Sequence, residues 1–155
     1  MQAATQPILA QSDIASPEQF LIVPIFFKKQ IESIIASRSP EYTFGFFYGD
    51  EKENYRIIKK IWPVSHVATD GSKVKITKQD FLQASLNAEG TSLKLLGCFF
   101  TSESGGVCKA LLAESHANSF SFIKLKENTG DLNRSWIGSI CKKNSRQEHA
   151  QKVIL

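Results

Sequence analysis

Leu93-Lys94-Leu95-Leu96-Gly97-Cys98-Phe99-Phe100-Thr101-Ser102-Glu103-Ser104-Gly105-Gly106 is a dense apolar run that breaks abruptly into small and polar residues. A run of this length ending in Ser and Gly reads as a strand buried on both faces whose carboxyl end opens into a loop. Ligands of α/β proteins bind beyond the carboxyl ends of such strands. A site is therefore expected between Phe100 and Gly106, and Thr101, Ser102, Glu103, Ser104, Gly105 and Gly106 form the candidate binding loop. The loop offers hydroxyls and one carboxylate but no histidine.

Outward from this strand the text alternates between helical and extended periods. Phe20 to Val23 reads as a short strand, and Pro24 opens a helix from about Ile25 to Ser37, with Phe27, Ile31, Ile34 and Ile35 on one face. Residues 43–49 and 55–62 are spaced as an antiparallel hairpin. Val74 to Ile76 is a brief extended piece. Thr77 is a good N-cap for a helix from Lys78 to about Asn87 that carries Phe81, Leu82 and Leu86 on one face, with Glu89 and Gly90 closing it. Beyond the loop, Val107 to Ala113 has helical spacing. Residues 119–125 alternate at period two, as a half-buried strand does, and residues 135–141 make the last strand.

These elements imply a single domain of the α/β (α+β) class, a mixed sheet flanked by helices in three layers. Its expected bounds are 19–141, with a loosely held arm over residues 1–18 and a polar tail or terminal helix over 142–155. One domain suits the 155 residues of the chain, which needs no disulfide to hold it. Three cysteines, Cys98, Cys108 and Cys141, cannot all pair, and none stands in a CxxC spacing, which reads as a reducing cytoplasm. The apolar stretch from Phe20 to Phe27 is too short to span a membrane and contains Pro24. The net charge of +4 is scattered, with no basic stretch interleaved with stacking aromatics, so nucleic acid is not indicated as a partner.

The element order and its local text resemble the JAMM/MPN domain family, and its small prokaryotic, JAB-like branch in particular. The segment Glu41-Tyr42-Thr43-Phe44-Gly45-Phe46-Phe47-Tyr48-Gly49 is similar to the family's acid followed by a Gly-bounded apolar strand. Residues 57–63 echo its hairpin partner ending in Pro, and residues 80–99 its later helix and strand. The resemblance implies an MPN/cytidine-deaminase-like fold. Active members carry a Glu, a His-Ser/Thr-His-Pro run and a Ser-x-x-Asp, in which two His and the Asp hold zinc while the Glu activates its water, leaving one zinc position open for that water. Here the His run falls on Phe100-Thr101-Ser102-Glu103 and the Ser-x-x-Asp on Ala110 to Ala113. Tyr42 takes the place of the acid, with Glu41 one residue early and so aimed to the other face of a strand. Thr101 alone matches. The resemblance thus implies the fold and denies the reaction: no cofactor, no catalytic residue, and a role as a protein-protein interaction or scaffold module, a homodimer being the first expectation.

The alternative is a hydrolase with a rebuilt site. His66, His116, Cys98 and Cys108 offer metal-ligating atoms at spacings that match no zinc pattern. Cys108, in the first turn of a helix after Gly105-Gly106, is a candidate reactive thiol because a helix N-terminus lowers a thiol's pKa. The aromatic hairpin, with Phe44, Phe46, Phe47, Tyr48, Tyr55 and Trp62, either buries under the helices or leaves part of its surface for a partner.

Overall fold

A computed structural model describes residues 20–38, 41–65, 68–70, 73–75, 77–101, 119–127, 134–142 and 148–155. The expected arm over residues 1–18 and the expected helix over residues 107–113 lie outside this set.

Pro24 begins the first helix as its sequence demands, its carbonyl accepting from the N–H groups of Phe27 and Lys28. Helix α1 (Ile25–Arg38) follows strand β1 (Phe20–Ile22). Strands β2 (Phe44–Glu51) and β3 (Arg56–Pro63) form the antiparallel hairpin. A two-stranded ribbon, β4 (Ala68–Asp70) with β5 (Lys73–Lys75), leads to helix α2 (Lys78–Ala88). Thr77 caps α2 through a reciprocal box: its hydroxyl accepts from the Asp80 N–H, and the Asp80 carboxylate accepts from the Thr77 N–H. Then come β6 (Lys94–Phe100), β7 (Ser119–Glu127), β8 (Arg134–Lys142), β9 (Glu148–Ala150) and β10 (Lys152–Ile154).

Eight of these strands form one mixed sheet in the order β10-β1-β3-β2-β6-β7-β8-β9. Strand β6 lies between β2, to which it is antiparallel, and β7, to which it is parallel. The apolar run from Leu93 to Phe100 therefore sits inside the sheet, with Leu96, Cys98, Phe99 and Phe100 buried. At its centre Gly97 lets β7 approach: a Cβ there would fall 1.9 Å from the Ser121 carbonyl oxygen. The β2–β6 register slips between Phe47 and Tyr48, which leaves Leu96 as an extra residue in β6.

Two apolar clusters divide the core. One gathers Phe44, Phe46, Tyr48, Cys98, Phe100, Phe120 and Phe122 with Phe81 and Ala84 of α2. The other gathers Phe47, Ile58, Leu96, Phe99, Ile123 and Leu125 with Ile31 and Ile35 of α1. Each cluster thus takes its helix, in an α+β domain built on one mixed sheet.

The packing decides one open alternative and corrects three expectations. Of the hairpin aromatics, Phe44, Phe46, Phe47 and Tyr48 are buried, each at most 1% exposed, and Tyr55 and Trp62 are half-buried, so burial within the domain is the alternative that holds for the four. Helix α2 buries Phe81 and Ala84, while Leu82 and Leu86, expected on the same face as Phe81, are 56% and 46% exposed. Strand β7 is not half-buried: Ser119 through Ile123 are buried whichever way they point, because Phe81 tilts against Phe120 on one side and the α1 cluster covers Ile123 on the other. Residues 148–154, expected as a tail or terminal helix, are extended and belong to the sheet, β9 antiparallel to β8 and β10 parallel to β1. Because β9 and β10 are consecutive in the chain and stand at opposite ends of the strand order, this segment brings the sheet close to closure.

Candidate functional site

The carboxyl end of β6 meets the start of β2. Phe44 pairs with Phe100, the Thr43 N–H donates to the Thr101 hydroxyl at 2.9 Å, and the Thr101 N–H donates to the Thr43 carbonyl at 3.1 Å. The end of α1 reaches the same place. The Arg38 guanidinium donates to the Val64 carbonyl at 2.7 Å, the Val64 N–H donates to the Phe44 carbonyl, and the Glu41 N–H donates to the Arg38 carbonyl. The fold thus brings together Tyr42, Phe100 and Thr101, three of the positions singled out in the sequence.

What these side chains can do is limited. Phe100 is 4% exposed and stacks on Phe44, ring centroids 6.2 Å apart, so its ring belongs to the core. Tyr42 packs against the same cluster. Glu41 is exposed, in the bend before β2. The Thr101 hydroxyl holds the β2 backbone. Sequence reading overlooked Thr43, which is fully buried and whose hydroxyl has no hydrogen-bond partner among the described residues. Its lone polar atom in an apolar stretch, two residues before Gly45, was the available signal.

Metal chemistry needs a cluster of imidazole, thiolate or carboxylate groups. Among the described residues no three of His, Cys, Asp and Glu come close enough to hold an ion. Ser102, Glu103, Ser104, Gly105, Gly106, Cys108, Ala110, Ala113, His66 and His116 lie outside the described residues. Cys98 is buried within the α2 cluster, as a strand thiol acting as a small apolar group would be.

At the other end of the same strands lies a charged centre that sequence reading missed. Arg56, 3% exposed, fills all five of its N–H donors. Its Nε and Nη2 donate to Glu51 Oε2 at 3.0 and 2.8 Å, Nη1 donates to the Leu96 carbonyl and the Ser121 hydroxyl at 3.0 Å each, and Nη2 also donates to the Ser119 hydroxyl. The Leu96 carbonyl belongs to the extra residue of β6, so the guanidinium seals the bulge. Burial pushes the Glu51 carboxyl up, and the hydrogen bond and charge of Arg56, aided by Lys94, outweigh it and hold the group below the ordinary carboxylate range. A guanidinium saturated in this way has no donor left for a ligand, and the centre joins β2, β3, β6 and β7.

No helix among the described residues is long and apolar enough to cross a membrane. No family model matches the chain, and no curated protein does. Solved structures do. The solution structure of protein DSY2949 from Desulfitobacterium hafniense aligns at a TM-score of 0.65 and 13% identity, over 87% of this chain and 92% of that one. A solution structure of a protein from Salinibacter ruber aligns at 0.53 and 13% identity, over 86% and 89%. The crystal structure of AF2198, a JAB1/MPN domain protein from Archaeoglobus fulgidus, aligns at 0.45 and 12% identity, over 86% and 98%. At such identities the first two likenesses are likenesses of fold: the chain shares its architecture with these bacterial proteins over nearly its full length.

Proposed function

We propose that this chain is an MPN-like domain, three-layered as the family is, that has given up metal-dependent hydrolysis and acts in the cytoplasm by holding another protein, first of all a second copy of itself. One observation carries the reading. At the position of the motif's first zinc-binding histidine stands Phe100, a phenyl ring packed on Phe44 that has no atom able to ligate a metal. Tyr42 at the acid's position and the sequence at Ser102 and Ala113 agree with it. A scaffold stripped of its ligands keeps its surface. Among the exposed apolar groups of the described residues are Ile25 and Phe26 at the start of α1 and Ile154 and Leu155, exposed by 59%, 67%, 39% and 52%. The Val23 N–H donates to the Ile154 carbonyl, which brings the backbone of β10 beside the entry to α1. Aromatic anchors of this kind dominate interface energetics.

Sedimentation velocity across a concentration series tests the proposal. A dimer that forms reversibly in the micromolar range, and that Phe26→Asp abolishes without changing the melting temperature, is the expected result. A monomer at every concentration up to several hundred micromolar, with no partner retained from extract of its own host, would refute it.

A further inference from the structure

The segment 148–155 is attached to the domain differently from the other strands. Among its eight residues only Gln151 is buried and Val153 half-buried; the remaining side chains are exposed. Its hold is mainly the backbone: the β8–β9 and β1–β10 ladders, the Gln151 N–H donating to the Gly138 carbonyl at 3.0 Å, and the Ile154 carbonyl accepting from the Val23 N–H at 2.8 Å, to which side chains add the Ser139 hydroxyl donating to the Glu148 carboxylate and Val153 packing on the α1 cluster. The close approach to β8 depends on Gly138 having no side chain, since a Cβ there would lie 2.4 Å from the Gln151 carbonyl oxygen and 2.5 Å from a Val153 methyl. Elements with little apolar burial open at a free energy far below that of global unfolding.

We infer that residues 148–155 form a strap that detaches as one unit while the rest of the sheet stays folded. Release uncovers the edges of β1 and β8, each a row of backbone N–H and C=O groups. This inference does not rest on the proposed function, because it concerns how the sheet is held; the strap does carry Ile154 and Leu155 of the proposed interface, so exchange is measured at a concentration where the chain is monomeric.

Native-state hydrogen exchange on the full chain tests it with two reporters on opposite edges, the Gln151 N–H on the strap and the Val23 N–H on the body. The expected result is that both exchange at one common rate, at least about 100-fold faster than the amides of β2 and β6, and that Gly138→Ala accelerates both alike while the β2 and β6 amides keep their protection. The wild-type measurement stands alone if the variant fails to fold. Exchange of Gln151 and Val23 at the rate of the core amides would show that the strap opens only with global unfolding. Different rates for the two would show independent fraying of β9 and β10. Either result overturns the inference.

Discussion

Replacing Glu51 by Gln removes one charge from the Arg56 centre and leaves its shape. The Arg56 side chain is 4% exposed and the Glu51 side chain 25%, so the group stranded by the change is the guanidinium. Removing one member of a buried pair costs about 3–5 kcal/mol. Three of the hydrogen bonds from Arg56, to Leu96, Ser121 and Ser119, survive the substitution, which places the expected loss near the lower end, about 3 kcal/mol. That is a large share of a domain's total stability of about 5–15 kcal/mol. In a chain of this size it lowers the melting temperature by about 6–12 °C. The pH dependence carries the same signature. Because the folded carboxyl titrates below its ordinary value of 4.5, its contribution is complete above that pH and is lost as pH falls through the lower, folded value. Urea unfolding of parent and Glu51→Gln at pH 7 and in steps toward pH 3 gives a difference of about 3 kcal/mol that shrinks on acidification. A difference below about 1 kcal/mol at pH 7, or one that stays constant across this range, would refute the assignment of the pair as a stabilising buried centre.

Leu96→Asp puts an unpaired charge where the side chain is 1% exposed, and costs several kcal/mol in denaturant unfolding; a variant that melts like the parent would remove β6 from the interior. Tyr48 donates its hydroxyl to the Ala84 carbonyl at 2.8 Å, and burial, only partly offset by a hydrogen bond with Asn87, pushes the phenol from 10.0 up to about 12. The raised value makes its contribution complete below pH 10 and lost as pH rises toward 12, so Tyr48→Phe, about 1 kcal/mol less stable at pH 7, flattens the alkaline limb of the stability curve. Thr77→Ala loses the cap of α2 and about 1 kcal/mol in the same assay.

Much of this architecture was legible because single residues announced it. Pro24 and the spacing of Ile31 and Ile35 gave α1, Thr77 with Asp80 gave the start of α2, and the run into Thr101 gave the central strand and the place where β2 and β6 meet. Segment 148–154 escaped because two three-residue strands of mainly exposed side chains show no hydrophobic period; their backbone carries the pairing. Phe81, Leu82 and Leu86 read as one apolar face, whereas the helix turns Phe81 and Ala84, at i and i+3, into the cluster that holds Phe120. The residue text does not decide the burial of the hairpin aromatics, since a strand with rings on both faces reads alike whether one helix or two cover it. Arg56 carried a usable signal, being on the same side of β3 as buried Ile58, where a cation requires a partner. The bulge that supplies its Leu96 carbonyl leaves no trace in the residue text.

The central claim is that the motif positions no longer hold a metal. Elemental analysis of the purified chain by plasma mass spectrometry, after dialysis against a weak chelator and re-exposure to one equivalent of zinc, tests it most directly. The account predicts zinc far below one ion per chain. One zinc retained per chain would contradict it and turn attention to His66, His116 and the cysteines as a rebuilt ligand set.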